Sequence, residues 1–349
     1  MTVPRSVLVD LEVTPYYHCI SRCVRRAQLC GEGFEHRKAW LETRVEELAS
    51  IFAVSIASFS VLDNHFHLVV RLEGKEMVDR WSNKEVAERW GRLYPPRGKK
   101  RKPLPVTEAW LKEQCSNAKW IKRTRERLAN LGWFMKCLKE PLAKMANRED
   151  ECRGAFWESR YNSIAILDDL ALLATCAYTD LNPFAAGIGD LLENSPHTSV
   201  KVRMENCRNR NRYHELQAAL MSVGRGEVVA DDKAARLEEQ LWLCPLAKTA
   251  KNRFGNDGML DHFSLAHYLE LLEWTSRLAR DGKQRLSDKV PPLLERLGTT
   301  VDTWQATIGK MFARQREQGV VFSFSRAHLQ EVAAHRGCHH VANLNGCPA

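Results

Sequence analysis

Residues 55–70 read Ser55-Ile56-Ala57-Ser58-Phe59-Ser60-Val61-Leu62-Asp63-Asn64-His65-Phe66-His67-Leu68-Val69-Val70. Runs rich in Val, Ile, Phe and Ser flank Asp-Asn, which is turn chemistry, so the stretch predicts a β-hairpin. Side chains alternate along a strand, which puts His65 and His67 on one face and Phe66 and Leu68 on the other. Two imidazoles one strand-repeat apart either converge on a metal ion or are two surface histidines on a half-exposed strand. The pair alone does not choose between these readings.

Upstream, residues 14–24 start after a proline, are rich in strand formers and end in Arg22, Arg25 and Arg26, so they predict a first strand. Trp40, Leu41, Val45, Leu48, Ala49 and Phe52 recur at helical spacing, predicting an amphipathic helix from about Glu35 to Phe52. Strand, helix, strand, strand is the first half of a ferredoxin-like β-α-β-β-α-β arrangement. Downstream, residues 75–118 hold Tyr94-Pro95-Pro96, the run Arg97-Gly98-Lys99-Lys100-Arg101-Lys102, Pro103 and Pro105, which predicts a basic insertion that is an exposed loop or mobile. Helical spacing returns from Trp120 to Asn147, with Pro141 expected to kink or restart the helix. Gly154 to Tyr161 predicts the next strand, and Asp168-Asp169 cap a helix over about 170–181, closed by Asn182-Pro183. Ser195 to Ser199 reads as a linker. A basic segment (Lys201, Arg203, Arg208, Arg210, Arg212) follows, then an acidic stretch at 226–240 and helical patterns at 262–280 and 299–318. The division expected is a unit over 1–190, with 75–118 inserted, and a mainly helical C-terminal region over 191–349.

The chain has 349 residues, 44% hydrophobic and 27% charged, enough for one large or two ordinary domains with a real core. It carries 52 Lys and Arg against 43 Asp and Glu, a net charge of +9, which favours a polyanionic partner such as nucleic acid. No apolar run reaches the ~20 residues of a membrane span, and Met1-Thr2-Val3-Pro4-Arg5 lacks the pattern of a secretory signal, so a cytoplasmic location is expected. The eleven cysteines form no regular framework. Cys19, Cys23 and Cys30, and Cys338 beside His339 and His340, lack a Cys-x-x-Cys spacing, so reduced thiols are the better reading than a structural zinc site.

Tyr178 and Asn182 lie four apart, one turn from each other on one helix face. Asn offers a carbonyl oxygen to a hard cation, and Tyr can form a covalent ester with phosphate. With two histidines they make a coherent site for cutting a phosphodiester. The plain alternative is that Tyr178 packs in the core and Asn182-Pro183 merely ends the helix.

The chain resembles the IS200-like single-tyrosine transposases of the HUH nuclease superfamily, and looks most like the REP-associated tyrosine transposases. Four motifs in order over roughly residues 14–190 carry the resemblance. Tyr17-His18-Cys19-Ile20-Ser21-Arg22 is similar to the opening strand, and Val61 to Val70 to the His-hydrophobe-His hairpin. Gly154-Ala155-Phe156-Trp157-Glu158-Ser159-Arg160-Tyr161 is similar to a Gly-x-Phe/Leu-Trp strand, and Ala177-Tyr178-Thr179-Asp180-Leu181-Asn182-Pro183-Phe184-Ala185-Ala186-Gly187 to a Tyr-Ile-x-x-Asn-Pro-x-x-Ala-Gly signature. Two departures stand out. The turn before the histidines is usually Pro-Asn and here is Asp63-Asn64, where Asp63 is either a turn residue or a carboxylate behind a histidine. The residue after Asn-Pro is usually basic, and Phe184-Ala185-Ala186 supplies none.

The resemblance implies an α+β protein, a ferredoxin-like antiparallel sheet with helices (the HUH nuclease fold). It implies a metal-dependent endonuclease and strand transferase acting on single-stranded or hairpin DNA. His65, His67 and Asn182 match the ligands of Mg²⁺ or Mn²⁺, and Tyr178 matches the nucleophile that forms a 5′-phosphotyrosine link. Candidate DNA contacts are Arg22, Arg25, Arg26, Lys99, Lys100, Arg101, Lys102, Lys122 and Arg123, each set against a plain solvated surface. Trp157 and Tyr161 either stack on an unpaired base or belong to the core. A monomer is favoured, with a dimer as the alternative, and no membrane partner is expected. The competing functional classes are a DNA hairpin- or repeat-binding protein that does not cleave, and a metal hydrolase using water as nucleophile.

Overall fold

The alternation read from the hairpin is realised in a computed structural model, which describes residues 8–187, 195–281, 294–295, 298–313 and 321–335. Strand β1 (Tyr16–Arg22) is followed by helix α1 (Glu35–Ala49), then by β2 (Val54–Val61) and β3 (His65–Leu72), which pair antiparallel across the Asp63-Asn64 turn. β3 also pairs antiparallel with β1, and β1 with β4 (Asn162–Ile166). A short β5 (Val321–Phe322) adds parallel to β4, giving an α+β protein with a five-stranded mixed sheet in the order β2-β3-β1-β4-β5.

Each face of the sheet has its own core. Tyr17, Cys19, Phe59, Phe66, Leu68, Val70 and Ala165 point to one side, where they meet α1 and α6 (Leu131–Glu149). Val69 and Ile166 point to the other, where they meet α7 (Asp169–Ala185). Helices α8 (Ser199–Asn209), α9 (Tyr213–Gly224), α10 (Asp231–Leu237), α11 (Leu265–Asp281) and α12 (Val301–Ala313) extend this second core. Helix α13 (Arg326–His335) returns to the first.

Several expectations are corrected. The insertion is not a loop: it folds as α2 (Gly74–Arg80), α3 (Asn83–Leu93) and α4 (Glu108–Ser116). Ser82 caps α3 by accepting the Glu85 amide, and Thr107 caps α4 by accepting that of Trp110. Val86 and Trp90 then bury into the first core. The basic run occupies only the hairpin between α3 and α4, closed by Leu104 N–H to Pro96 O at 2.8 Å and Gly98 N–H to Lys102 O at 3.0 Å. The pattern over 120–147 is two helices, α5 (Ala118–Leu128) and α6, because Asn130 caps a new start through the Trp133 amide. Pro141 does not break α6. The Cys137 carbonyl, which its missing N–H leaves open, accepts from Arg44 Nε at 3.3 Å.

Residues 154–161 are not a strand; β4 begins at Asn162. Gly154 takes a φ of +124°, Phe156 turns into the first core, and only Trp157 makes an isolated bridge, to Cys23. Helix α7 continues through Pro183 instead of stopping at Asn182. Ser195 to Ser199 is no slack linker, since Val61 N–H bonds to His197 O at 3.0 Å and Ser60 bridges Thr198 along the free edge of β2. The nine described cysteines are thiols, whereas Cys338, His339 and His340 lie outside the described residues. Among the described residues no helix is long and apolar enough to cross a membrane.

Candidate active site

The sheet face toward α7 carries the polar residues of the alternation. His65 and His67 on β3 share it with His18 and Arg22 on β1, because Arg22 lies opposite His65 and His18 opposite Val69 in the register. Helix α7 brings its 178/182 face onto these strands. Asn182 Nδ2 lies 3.3 Å from His67 Nε2, and the Tyr178 ring stands edge-on to His67 at 5.4 Å between centroids. The structure therefore brings together the four residues singled out from sequence, with His65 and His67 rings 4.9 Å apart.

Each imidazole has an orienting partner. Asn64 donates through Nδ2 to the Arg26 carbonyl at 3.1 Å, which turns its Oδ1 toward His65 Nδ1 at 2.6 Å. His65 must therefore donate from Nδ1, and its Nε2 lone pair is free. Asp63, the departure from the Pro-Asn turn, pairs with Lys38 Nζ of α1 at 2.7 Å, and its charge also reaches His65, partly opposing the fall of that imidazole's pKa. His67 Nδ1 meets His18 Nε2 at 2.9 Å. His18 was missed from sequence; its β1 position in register with β3 is the signal that identifies it.

Burial keeps the imidazoles uncharged. It pushes the pKa of His65 down to about 4, helped by the Arg22 charge. It pushes His18 down to about 3, and His67 well below the usual range, with His65, His18 and Arg22 adding to the effect. Neutral imidazoles are the form that ligates metals. Burial raises the Tyr178 phenol, while a hydrogen bond with Asn182 and the Arg22 charge pull it back. Tyr178 is 6% exposed, and Phe312 of α12 packs on it at 5.1 Å between ring centroids. Nothing in the sequence pattern ties Phe312 to this site.

Among the described residues, the one trio of His, Cys, Asp or Glu side chains able to share an ion is Asp10, Glu12 and His335, away from this site. A third donor to a cation at this place would be the Asn182 amide, whose oxygen replaces its nitrogen beside His67 Nε2 on a half-turn. Two neutral imidazoles and an amide carbonyl are a donor set that fits a divalent cation whose charge a phosphate completes.

The other basic candidates divide. Arg22 lies in the site, and exposed Arg25 and Arg26 flank its turn with left-handed φ of 54° and 56°. Lys99, Lys100 and Lys102 are exposed at the α3–α4 hairpin, and the Arg101 side chain lies outside the described residues. Lys122 and Arg123 are exposed on α5. These helices pack on the first core, so the structure does not bring their cations to Tyr178. Tyr161 is 6% exposed within that core, and Trp157 packs on Phe66 and donates to Lys139 O at 3.0 Å. Both pack with the first core.

No protein-family model matches the chain, and no curated protein does. Among solved structures, it is similar to a REP-associated tyrosine transposase bound to a REP hairpin. That match covers 53% of this chain and 74% of the other, with 12% identity and a TM-score of 0.30. A likeness of that size identifies neither a family nor an activity.

Proposed function

We propose that the chain is a metal-dependent endonuclease and strand transferase that cuts single-stranded DNA beside hairpins through Tyr178. The observation that carries this reading is the meeting of Asn182 with His67 at 3.3 Å, with Tyr178 on the same helix face. A phenol, two neutral imidazoles and an amide converge on one sheet face from positions over a hundred residues apart. The antiparallel order β2-β3-β1-β4, with α1 and α6 on the opposite face, supports a ferredoxin-like, HUH-type arrangement.

In this reading Tyr178 Oη attacks the scissile phosphorus, the bond to the 3′-oxygen breaks, and the phenolic proton ends on the released 3′-OH. One phosphodiester replaces another, so no external energy source is needed, and a 3′-OH attacking the 5′-phosphotyrosine reverses the step. His65, His67 and Asn182 would hold Mg²⁺ or Mn²⁺, which when bound would supply Lewis-acid polarisation of the phosphate. Arg22 favours the phenolate by its charge, and with Arg25 and Arg26 it offers cations to the DNA backbone at the mouth. Because Tyr178 lies against the histidines of its own chain, a monomer suffices.

The test is a labelled hairpin oligonucleotide, drawn from palindromes flanking the coding region, incubated with Mn²⁺ and resolved under denaturing conditions. A protein–DNA adduct that Tyr178→Phe abolishes is expected. No adduct with any flanking hairpin, or an adduct that survives Tyr178→Phe, overturns the reading.

A further inference from the structure

We propose that His18 is a positioning residue that fixes His67 with its proton on Nδ1, holding the Nε2 lone pair toward Asn182. This rests on the reading of the site given above, yet it concerns a property of the metal-free protein.

His18 and His67 are 4% and 0% exposed, and their rings stack at 5.1 Å with 25° between planes. His18 reaches His67 diagonally across the β1–β3 register, with Nε2 2.9 Å from Nδ1. One of these nitrogens must donate and the other accept. The far side of His67 decides which. Asn182 presents Nδ2, which can only donate, to His67 Nε2 at 3.3 Å. Nε2 is therefore the bare nitrogen, Nδ1 carries the proton and donates to His18 Nε2, and His18 keeps its own proton on Nδ1.

A cation on His67 Nε2 would take the same lone pair, so both states need the same proton placement. His18 thus does for His67 what Asn64 does for His65, and the two ring nitrogens that share the site are both left bare. Without an acceptor at position 18, a buried Nδ1–H is unsatisfied. The proton then shifts to Nε2, where a turned Asn182 amide accepts it and the ligand position is closed.

The test uses the full chain labelled with ¹⁵N-histidine, free of metal, read by long-range ¹H–¹⁵N correlation, together with calorimetric titration of Mn²⁺. Wild type is expected to show a bare Nε2 on His67. His18→Phe keeps the ring volume and removes the acceptor, so His67 should move to the Nε2-protonated or mixed form, and Mn²⁺ affinity should fall about 10- to 100-fold. His18→Gln, whose amide oxygen accepts the Nδ1–H, should restore both. A wild-type His67 protonated on Nε2, or a folded His18→Phe with tautomer and affinity unchanged, overturns the proposal. Should His18→Phe not fold, the wild-type spectrum and His18→Gln still decide. A wild type that binds no Mn²⁺ removes the proposed function, while its His67 tautomer still tests His18.

Discussion

Asp180 lies on α7 between Tyr178 and Asn182 and faces away from both, into the second core, where it is fully buried. Its carboxylate accepts from Tyr268 Oη at 2.6 Å, Ser199 Oγ at 2.7 Å and Val200 N at 2.9 Å. Asp180→Ala strands two of these donors, because Ser199 Oγ can turn to Ser58 Oγ at 2.9 Å. At about 1–3 kcal/mol for each orphaned buried donor, plus the cavity, truncation should cost about 3–5 kcal/mol.

Asp180→Asn should cost far less, about 1 kcal/mol or below. Its oxygen keeps the Val200 amide, and its NH₂ meets a Tyr268 hydroxyl that turns to accept. Burial also raises the Asp180 pKa, with the hydrogen bonds to Tyr268, Ser199 and Val200 only partly opposing it, so the charge that Asn removes is itself unfavourable. A raised folded pKa means the native state holds a proton that the unfolded chain has lost. Lowering the pH through that value toward the ordinary ~3.9 should therefore stabilise wild type relative to Asp180→Asn. Urea unfolding of the three proteins, followed by circular dichroism, measures both effects. Ala and Asn variants within about 0.5 kcal/mol of each other, a spread typical of ordinary surface changes, would refute the reasoning.

Two further outcomes follow from the same core and the site above it. Arg203→Met leaves Glu238 buried without its partner and releases the Ala57 and Cys244 carbonyls, so it should cost about 3–5 kcal/mol in urea unfolding. Adding Glu238→Gln, which keeps an oxygen for the Leu246 and Ala247 amides, should recover a measurable part of that loss. Phe312→Ala uncovers the Tyr178 ring, so the initial rate of adduct formation on a hairpin substrate should rise; an unchanged or lower rate would mean that Phe312 does not restrict access to the phenol.

The hairpin, the α1 face and the 178/182 pairing were legible because each rests on a local period: two along a strand, 3.6 along a helix. The same local view misread the insertion, where prolines and like charge between Pro95 and Pro105 concealed capped helices on either side. Ser82 with Glu85 three residues later was the missed signal. Gly154 to Tyr161 misled in the opposite direction. Its aromatics suit a strand, but the pairing stops at the single Cys23–Trp157 bridge, and Phe156 and Trp157 pack under α6. His18 needed the β1–β3 register, a nonlocal fact. Phe312 needed the docking of α12 onto α7, which no period in either helix encodes.

That docking changes what the C-terminal half is for in physical terms. The edge strand β2 carries a register shift between Ile56 and Ser58, where Ala57 has no partner on β3. Cys244 N–H takes the Ile56 carbonyl at 2.7 Å, and Arg203 takes that of Ala57 at 2.8 Å. Two residues further on, Ser58 and Ser60 face α7 beside Asp180 and Thr198. The edge strand is thus completed by the same segments that hold the far side of the tyrosine helix. A change that loosens residues 197–246 therefore acts on both halves of the candidate site: on the histidines through the register of β2 and β3, and on Tyr178 and Asn182 through Asp180.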